Sequence, residues 1–182
     1  EDPTFTETDT SSMNHILYGA APITETLVDR AVEAFPSVDF VQVYGMTELS
    51  PLATSLPFKN LGEEGRRLGR NRSVGRATFG VEVDIVDEDN KSLPRGTVGQ
   101  IKVRGDNRML GYWNRPEETK AAMVEGWMHT GDGGYMDEDG FVYMVDRIKD
   151  MIISGGENIY SVEVENCVAQ HPAVAQCAVV GV

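Results

Sequence analysis

From about Ser73 to Val145 the chain is built of short alternating runs separated by turns: Val81-Glu82-Val83-Asp84-Ile85-Val86, Gly99-Gln100-Ile101-Lys102-Val103-Arg104 and Phe141-Val142-Tyr143-Met144-Val145. Successive side chains of a strand point to opposite faces, so a period of two predicts strands with one buried face and one wet face. At this spacing they predict an antiparallel sheet or a small barrel. Asp87-Glu88-Asp89-Asn90 and Asp137-Glu138-Asp139-Gly140 lie between such runs and read as hairpin turns. Neither has the Asp-x-Asp-x-Asp-Gly order and distant Glu of a calcium loop.

The segment before it has a different grammar. Glu1 to Met13 is polar, threonine-rich and aperiodic, which predicts a surface connection. Ile16-Leu17-Tyr18 predicts a strand, Gly19-Ala20-Ala21-Pro22 a small-residue turn, and Thr24 caps a predicted helix running to about Phe35 with Leu27, Val28, Ala31 and Val32 on one face. Phe40-Val41-Gln42-Val43-Tyr44 predicts a buried strand ending at Gly45. Strand, helix, strand is α/β organisation, in which ligands gather at the carboxyl ends of strands. After Asp146 a hairpin is expected, then a helix from about Val162 to Gln170 with Ser161 as its cap, ended by His171-Pro172, and another strand from Ala173 to Val182.

Composition excludes several functions. With 16 basic against 29 acidic side chains the net charge is −13, which repels phosphate backbones and argues against a nucleic-acid partner. No apolar run approaches the roughly 20 residues of a membrane helix. Cys167 and Cys177 make no disulfide framework, and the start does not resemble a signal peptide, so a reducing cytoplasm is expected. Cys167, His171 and Cys177 lack a fourth zinc ligand, and buried free thiols are expected instead. Five arginines at 66, 67, 70, 72 and 76 suit either the phosphates of a ligand or a solvated surface run; the latter is favoured and no role is assigned to them. Because the chain begins at Glu1, has its first Met at Met13 and stops inside an apolar run, an internal piece of a longer polypeptide is expected.

Three motifs carry chemistry: Tyr44-Gly45-Met46-Thr47-Glu48, Trp127-Met128-His129-Thr130-Gly131-Asp132, and Asp146-Arg147-Ile148-Lys149-Asp150-Met151-Ile152-Ile153-Ser154-Gly155-Gly156-Glu157. In this order they resemble the adenylate-forming enzyme superfamily, most closely the AMP-forming acyl-CoA synthetases. The resemblance implies an α/β plus β fold: the end of an α/β adenylate-binding subdomain (1–57), a β-barrel-like subdomain (58–145), a hinge (146–150) and the beginning of a C-terminal lid domain of α+β type (151–182).

It also implies roles. Tyr44 corresponds to the aromatic that stacks on adenine beside Gly45, Thr47 to a hydroxyl donor at the α-phosphate, and Glu48 to the magnesium ligand. A flat π face suits a purine, a hydroxyl can donate to a developing oxyanion, and one carboxylate suits Mg²⁺, which keeps much of its water. Ala20, in the small-residue turn, corresponds to a loop near adenine and the acyl pocket. Gln42 and Val43 align with positions near the acyl-adenylate, Val43 standing where a Gly is often found, a departure that narrows the pocket. Asp132 corresponds to the carboxylate that accepts both ribose hydroxyls and Arg147 to a second ribose contact. Lys149, counted with Thr47 and Glu48 in the catalytic set, corresponds to the hinge about which the small domain turns between half-reactions. Ser154, Gly155 and Gly156 correspond to the pantetheine tunnel, although two glycines equally serve a tight hairpin. His129 is read as a packing and hydrogen-bonding residue.

The implied reaction is ATP-dependent activation of a carboxylic acid, taken as a fatty acid, followed by transfer to coenzyme A, with ATP, Mg²⁺ and coenzyme A as cofactors. The partners implied are the acid, ATP, coenzyme A and the remaining parts of the same enzyme. A ligase for an aryl or dicarboxylic acid shares every motif. A non-catalytic nucleotide-binding or interaction module is the alternative from another class, because the Ser/Thr/Gly-rich phosphate loop with its Lys, and a late Lys, are absent from these residues. For the same reason the 182 residues alone are expected to be inactive in adenylation.

Overall fold

The computed structural model describes residues 8–21, 23–148, 151–155, 157–171 and 173–181, with the backbone alone at 153, 157, 158, 162 and 166. The first sheet begins with strand β1 (His15–Gly19), which runs parallel to β2 (Asp39–Tyr44). Parallel neighbours need a crossover, and helix α1 (Glu25–Ala34) supplies it. Thr24 is its N-cap, accepting the Leu27 N–H at 3.3 Å. Two short antiparallel strands, β3 (Thr54–Leu56) and β4 (Arg76–Ala77), complete the order β1-β2-β3-β4. Between them lies the one-turn helix α2 (Glu63–Arg67).

The second sheet comprises β5 (Val81–Val86), β6 (Gly99–Gly105), β7 (Met123–Val124), β8 (Trp127–Met136) and β9 (Val142–Arg147). All its pairings are antiparallel: β5 on β6, β6 on β8, and both β7 and β9 on β8. Among the described residues the sheet curls into a half-barrel without closing. Helix α3 (Pro116–Ala122) packs beside β7 and β8. The α/β plus β architecture follows the expected one, and the helix over 24–35, the strands at 81–86 and 99–104 and both acidic turns fall where predicted.

The two sheets meet at Gly75. Its carbonyl accepts the Val142 N–H at 2.8 Å, and the Val74 N–H reaches the Val142 carbonyl at 2.8 Å. One apolar core then spans both layers, with Tyr44, Leu49 and Ala53 from the first side and Ile85, Ile101, Val103, Met128, Met136 and Val142 from the second. The arginine run adds surface ties between elements. Arg66 pairs with Asp29 and Arg72 with Glu25 on α1, while Arg70 reaches Asp139 in the β8–β9 turn at 2.6 Å. Such exposed pairs contribute little individually.

Three expectations near the C-terminus need correction. The hairpin forms, from β10 (Ile152–Ser154) and β11 (Glu157–Ile159), but helix α4 (Ser161–Ala169) starts at Ser161, so that residue is inside the helix and Tyr160 is at the cap position. Ser161 instead gives both its backbone N–H (2.9 Å) and its hydroxyl (2.7 Å) to Asp146 Oδ2. A carboxylate from β9 thus satisfies the free helix end and suits its positive pole. Among residues 173–181 no strand forms: the Val179 N–H bonds to Glu165 Oε1 at 2.9 Å rather than to a neighbouring backbone. Cys167 is exposed on α4 and not buried, because its face of the helix is turned to solvent.

Gly75 has φ 89, and a Cβ there would lie 2.0 Å from the Ser55 carbonyl oxygen. Gly75→Ala therefore combines backbone strain with overpacking, and is expected to cost about 2–5 kcal/mol in urea unfolding. An unchanged midpoint would contradict the role of this junction.

Candidate active site

The carboxyl ends of β1 and β2 lie side by side, with Gly19 registered against Val43 and Tyr18 against Gln42. The approach is close: a Cβ at Gly19 would sit 2.1 Å from the Val43 carbonyl oxygen. Ala20 follows at φ 67, unusual for a residue with a Cβ, and turns the chain away at the strand end. Gly45 after β2 is equally constrained, since a Cβ there would meet the Pro51 carbonyl oxygen at 1.9 Å. The next residues make a 3₁₀ turn, Thr47–Leu49, which leaves Thr47 exposed and Glu48 half-buried while Leu49 drops into the core.

Tyr44 ends β2 with 9% of its surface exposed, and its hydroxyl donates to Asp132 Oδ2 at 2.7 Å. Little of the ring is left open for stacking in this arrangement. Burial, and then the Asp132 charge, push the phenol far above its ordinary pKa, so it stays a donor. Asp132 is also buried, at 8% exposure, and Arg147 stands beside it with Nε 3.6 Å from Oδ1. An irregularity in β8 aims Asp132 inward. Gly131 has φ 77, Thr130 Oγ1 donates to the Ile101 carbonyl at 2.9 Å, and the same oxygen accepts the Asp132 N–H at 3.1 Å. A carboxylate has about four acceptor sites, so the bond from Tyr44 leaves room for a vicinal diol.

The structure thus brings Tyr44, Asp132 and Arg147 together across the two sheets, with Thr47 and Glu48 on the turn that follows Tyr44. Ser154 ends β10 and Gly155 follows it at φ 62, both in the separate β10–β11 hairpin. Lys149 and Gly156 lie outside the described residues. His129 has the packing character expected of it. Its Nδ1 faces Gln100 Oε1, and burial followed by the Lys102 charge lowers its pKa from 6.5.

Among the described residues no three His, Cys, Asp or Glu side chains converge as a metal cage. A lone Glu48 does not make a resident metal site. It does fit Mg²⁺ arriving on phosphates, which needs only one or two carboxylates from the protein.

Sequence reading passed over what holds that turn. Asn107 Nδ2 donates to the carbonyls of Leu49 and Leu52, both at 2.8 Å, and the Met109 N–H donates to the Glu48 carbonyl at 2.7 Å. Tyr112 Oη donates to Glu48 Oε1 at 2.8 Å. These residues lie in an irregular loop after β6, where no periodicity marks them.

The chain is similar to known proteins in sequence and in fold. The profile of the AMP-binding enzyme family matches residues 1–113. The fatty acid–acyl-carrier-protein ligase ScoC of Streptomyces coeruleorubidus is 39% identical over 173 residues, 95% of this chain and 33% of that protein. A feruloyl-CoA synthase of Amycolatopsis sp. is 42% identical over 180 residues, 99% of this chain and 35% of that one. The o-succinylbenzoate coenzyme A synthetase of Bacillus subtilis, solved in complex with ATP and magnesium ion, superposes with TM-score 0.83 at 36% identity, covering 98% of this chain and 36% of that one. The chain belongs to the AMP-binding enzyme family, and it spans about a third of the length of these proteins.

Tyr44→Phe removes one donor from a buried carboxylate. It is expected to lower stability by about 1–3 kcal/mol in chemical denaturation; an unchanged midpoint would show that Asp132 does not depend on the phenol.

Proposed function

We propose that the whole protein activates a carboxylic acid with ATP and passes the acyl group to a thiol, coenzyme A being the favoured acceptor. The observation that carries this reading is the buried Asp132 carboxylate, held by Tyr44 and flanked by Arg147 beside a strand-end turn that bears Thr47 and Glu48. In the first half-reaction a carboxylate oxygen of the acid attacks the α-phosphorus, the bond to the β-phosphate bridging oxygen breaks, and pyrophosphate leaves. In the second, a thiol sulfur attacks the acyl carbonyl, its proton is lost and AMP departs.

On this reading Asp132 accepts from the ribose hydroxyls and Arg147 adds a second ribose contact. Tyr44 and Gly45, with Ala20 opposite, border the adenine; Gln42 lies toward the acyl group, and Thr47 donates at the α-phosphate. Glu48 would hold the magnesium that ATP carries, which would supply charge neutralisation on the phosphates. Residues 151–182 form the lid that turns about 146–150 at Lys149, with Ser154, Gly155 and Gly156 on the thiol path. The boundary between the α/β and β portions is read at 57/58, with β4 (Arg76–Ala77) pairing back onto the first sheet.

A fatty acid is the favoured substrate, supported by the name of ScoC. An aryl acid is the rival, since the feruloyl and o-succinylbenzoate enzymes are just as similar. A cytoplasmic setting belongs to the same reading, supported by two free cysteines; no helix among the described residues is long and apolar enough to cross a membrane.

Carboxylate-dependent ATP–pyrophosphate exchange by the whole protein, run over fatty and aryl acids, tests the reaction and ranks the substrates. Absence of exchange with every acid would favour a non-catalytic nucleotide-binding module. Asp132→Ala should raise the KM for ATP about 10–100-fold, the worth of a charge-assisted hydrogen bond. An unaltered KM removes Asp132 from the ribose site. Lys149→Pro should slow thioester formation more than adenylation, and equal loss in both half-reactions counts against the hinge.

A further inference from the structure

The bond from Tyr112 to Glu48 joins residues 64 apart in sequence and is one of four hydrogen bonds that the loop after β6 makes to residues 48–52. Two come from Asn107 and one from the Met109 N–H, and all of these end on carbonyl oxygens. Tyr112 alone reaches a side chain. The other three fix the backbone of the turn; this one fixes where a carboxylate points.

The phenol is itself anchored. The Tyr112 N–H donates to Thr119 Oγ1 on α3 at 2.9 Å, and Thr119 Oγ1 donates onward to the Arg115 carbonyl at 2.8 Å. The Arg115 N–H returns to the Tyr112 carbonyl at 3.2 Å. This closed set of bonds holds the Tyr112 backbone on the first turn of a helix. Tyr112 is only 37% exposed, whereas its neighbours Leu110 and Trp113 are 102% and 90% exposed. A phenolic hydroxyl is protonated at neutral pH, so Tyr112 is the donor and the Glu48 carboxylate the acceptor.

We propose that Tyr112 is a positioning residue for Glu48: its hydroxyl occupies Oε1 and leaves Oε2 to face the divalent cation of the bound nucleotide. This rests on the reading of Glu48 as the carboxylate that meets that cation. A carboxylate with one oxygen already accepting a phenolic hydrogen bond binds a metal through the other. Such one-oxygen contact suits Mg²⁺, which holds close to octahedral geometry and retains water, better than a larger ion that takes both oxygens. Donors that hold the far atom of a metal ligand commonly carry 10–100-fold in metal affinity. Tyrosine suits this task because only two side-chain torsions must be fixed to aim its hydroxyl.

The test measures binding by calorimetry in the whole protein, with α,β-methylene-ATP as a nucleotide that cannot be cleaved at the reacting bond. Each variant is titrated with and without Mg²⁺, and the ratio of the two affinities reports the metal's contribution. Tyr112→Phe should reduce that ratio about tenfold while leaving the metal-free affinity and the melting temperature unchanged. Glu48→Gln should abolish the ratio, and adding Tyr112→Phe to it should cause no further loss. If Tyr112→Phe keeps the wild-type ratio while Glu48→Gln loses it, the positioning role is overturned and the metal reading of Glu48 survives. Equal weakening with and without Mg²⁺, or additive losses in the double variant, also overturns it by showing a merely structural role. An intact ratio in Glu48→Gln overturns the metal reading, and the role of Tyr112 falls with it.

Discussion

A buried phenol donating to a buried carboxylate joins the carboxyl end of β2 in one sheet to β8 in the other. Asp132 and Tyr44 are 88 residues apart, both below 10% exposure, and their bond is 2.7 Å long. A carboxylate taken out of water is strongly destabilising unless donors replace the solvent. Here those donors come from different elements: the phenol of β2 on one oxygen and the guanidinium of β9 facing the other. Neither sheet satisfies Asp132 alone, so the two layers must dock in this register for the charge to be tolerated. The apolar core beneath, from Leu49 to Val142, supplies the stabilisation that makes the docking favourable.

The same economy shapes the turn after β2. Gly45 is there because the Pro51 carbonyl occupies the space a side chain would need, and Leu49 is buried completely, so the turn between them has almost no freedom. Thr47 and Glu48 project from a segment that is pinned at both ends and braced by Asn107 and Met109. A site on such a turn is more nearly preorganised than one on a free loop.

Much of this was legible in the linear chain, and the losses have physical reasons. Strands β5 and β6 announce themselves because one face is apolar and the other paired: Glu82 with Arg104, and Asp84 with Lys102. Helix α1 was legible from a capping threonine and an apolar face. Strand β8 was not marked as a strand, since Trp127–Met136 contains three glycines and an irregularity that breaks alternation where Asp132 turns inward. The run 173–181 misled in the other direction: apolar content suggests a strand, but a strand needs a partner edge, and the described residues offer it a glutamate side chain. Tyr44 and Asp132 were each singled out, yet their bond was not, because separation in sequence says nothing of which two side chains will share a buried interface. Tyr112 carried no signal at all, lying in an irregular loop whose order comes from contacts with α3 and with the turn it braces.

The end of β9 shows how period-two geometry divides labour between adjacent residues. Asp146 and Arg147 point to opposite faces of the strand. Arg147 stands opposite Asp132 in register and beside its carboxylate. Asp146, registered against Gly133, accepts the N–H and hydroxyl of Ser161 on Oδ2 and the Arg147 N–H on Oδ1. One face therefore belongs to the candidate ribose site and the other to the free end of α4. The contacts on the two faces share no side chain, so rotating α4 away breaks the Ser161 bonds without removing any partner of Asp132. Strand alternation thus keeps the bonds that hold the end of α4 apart from those that hold Asp132.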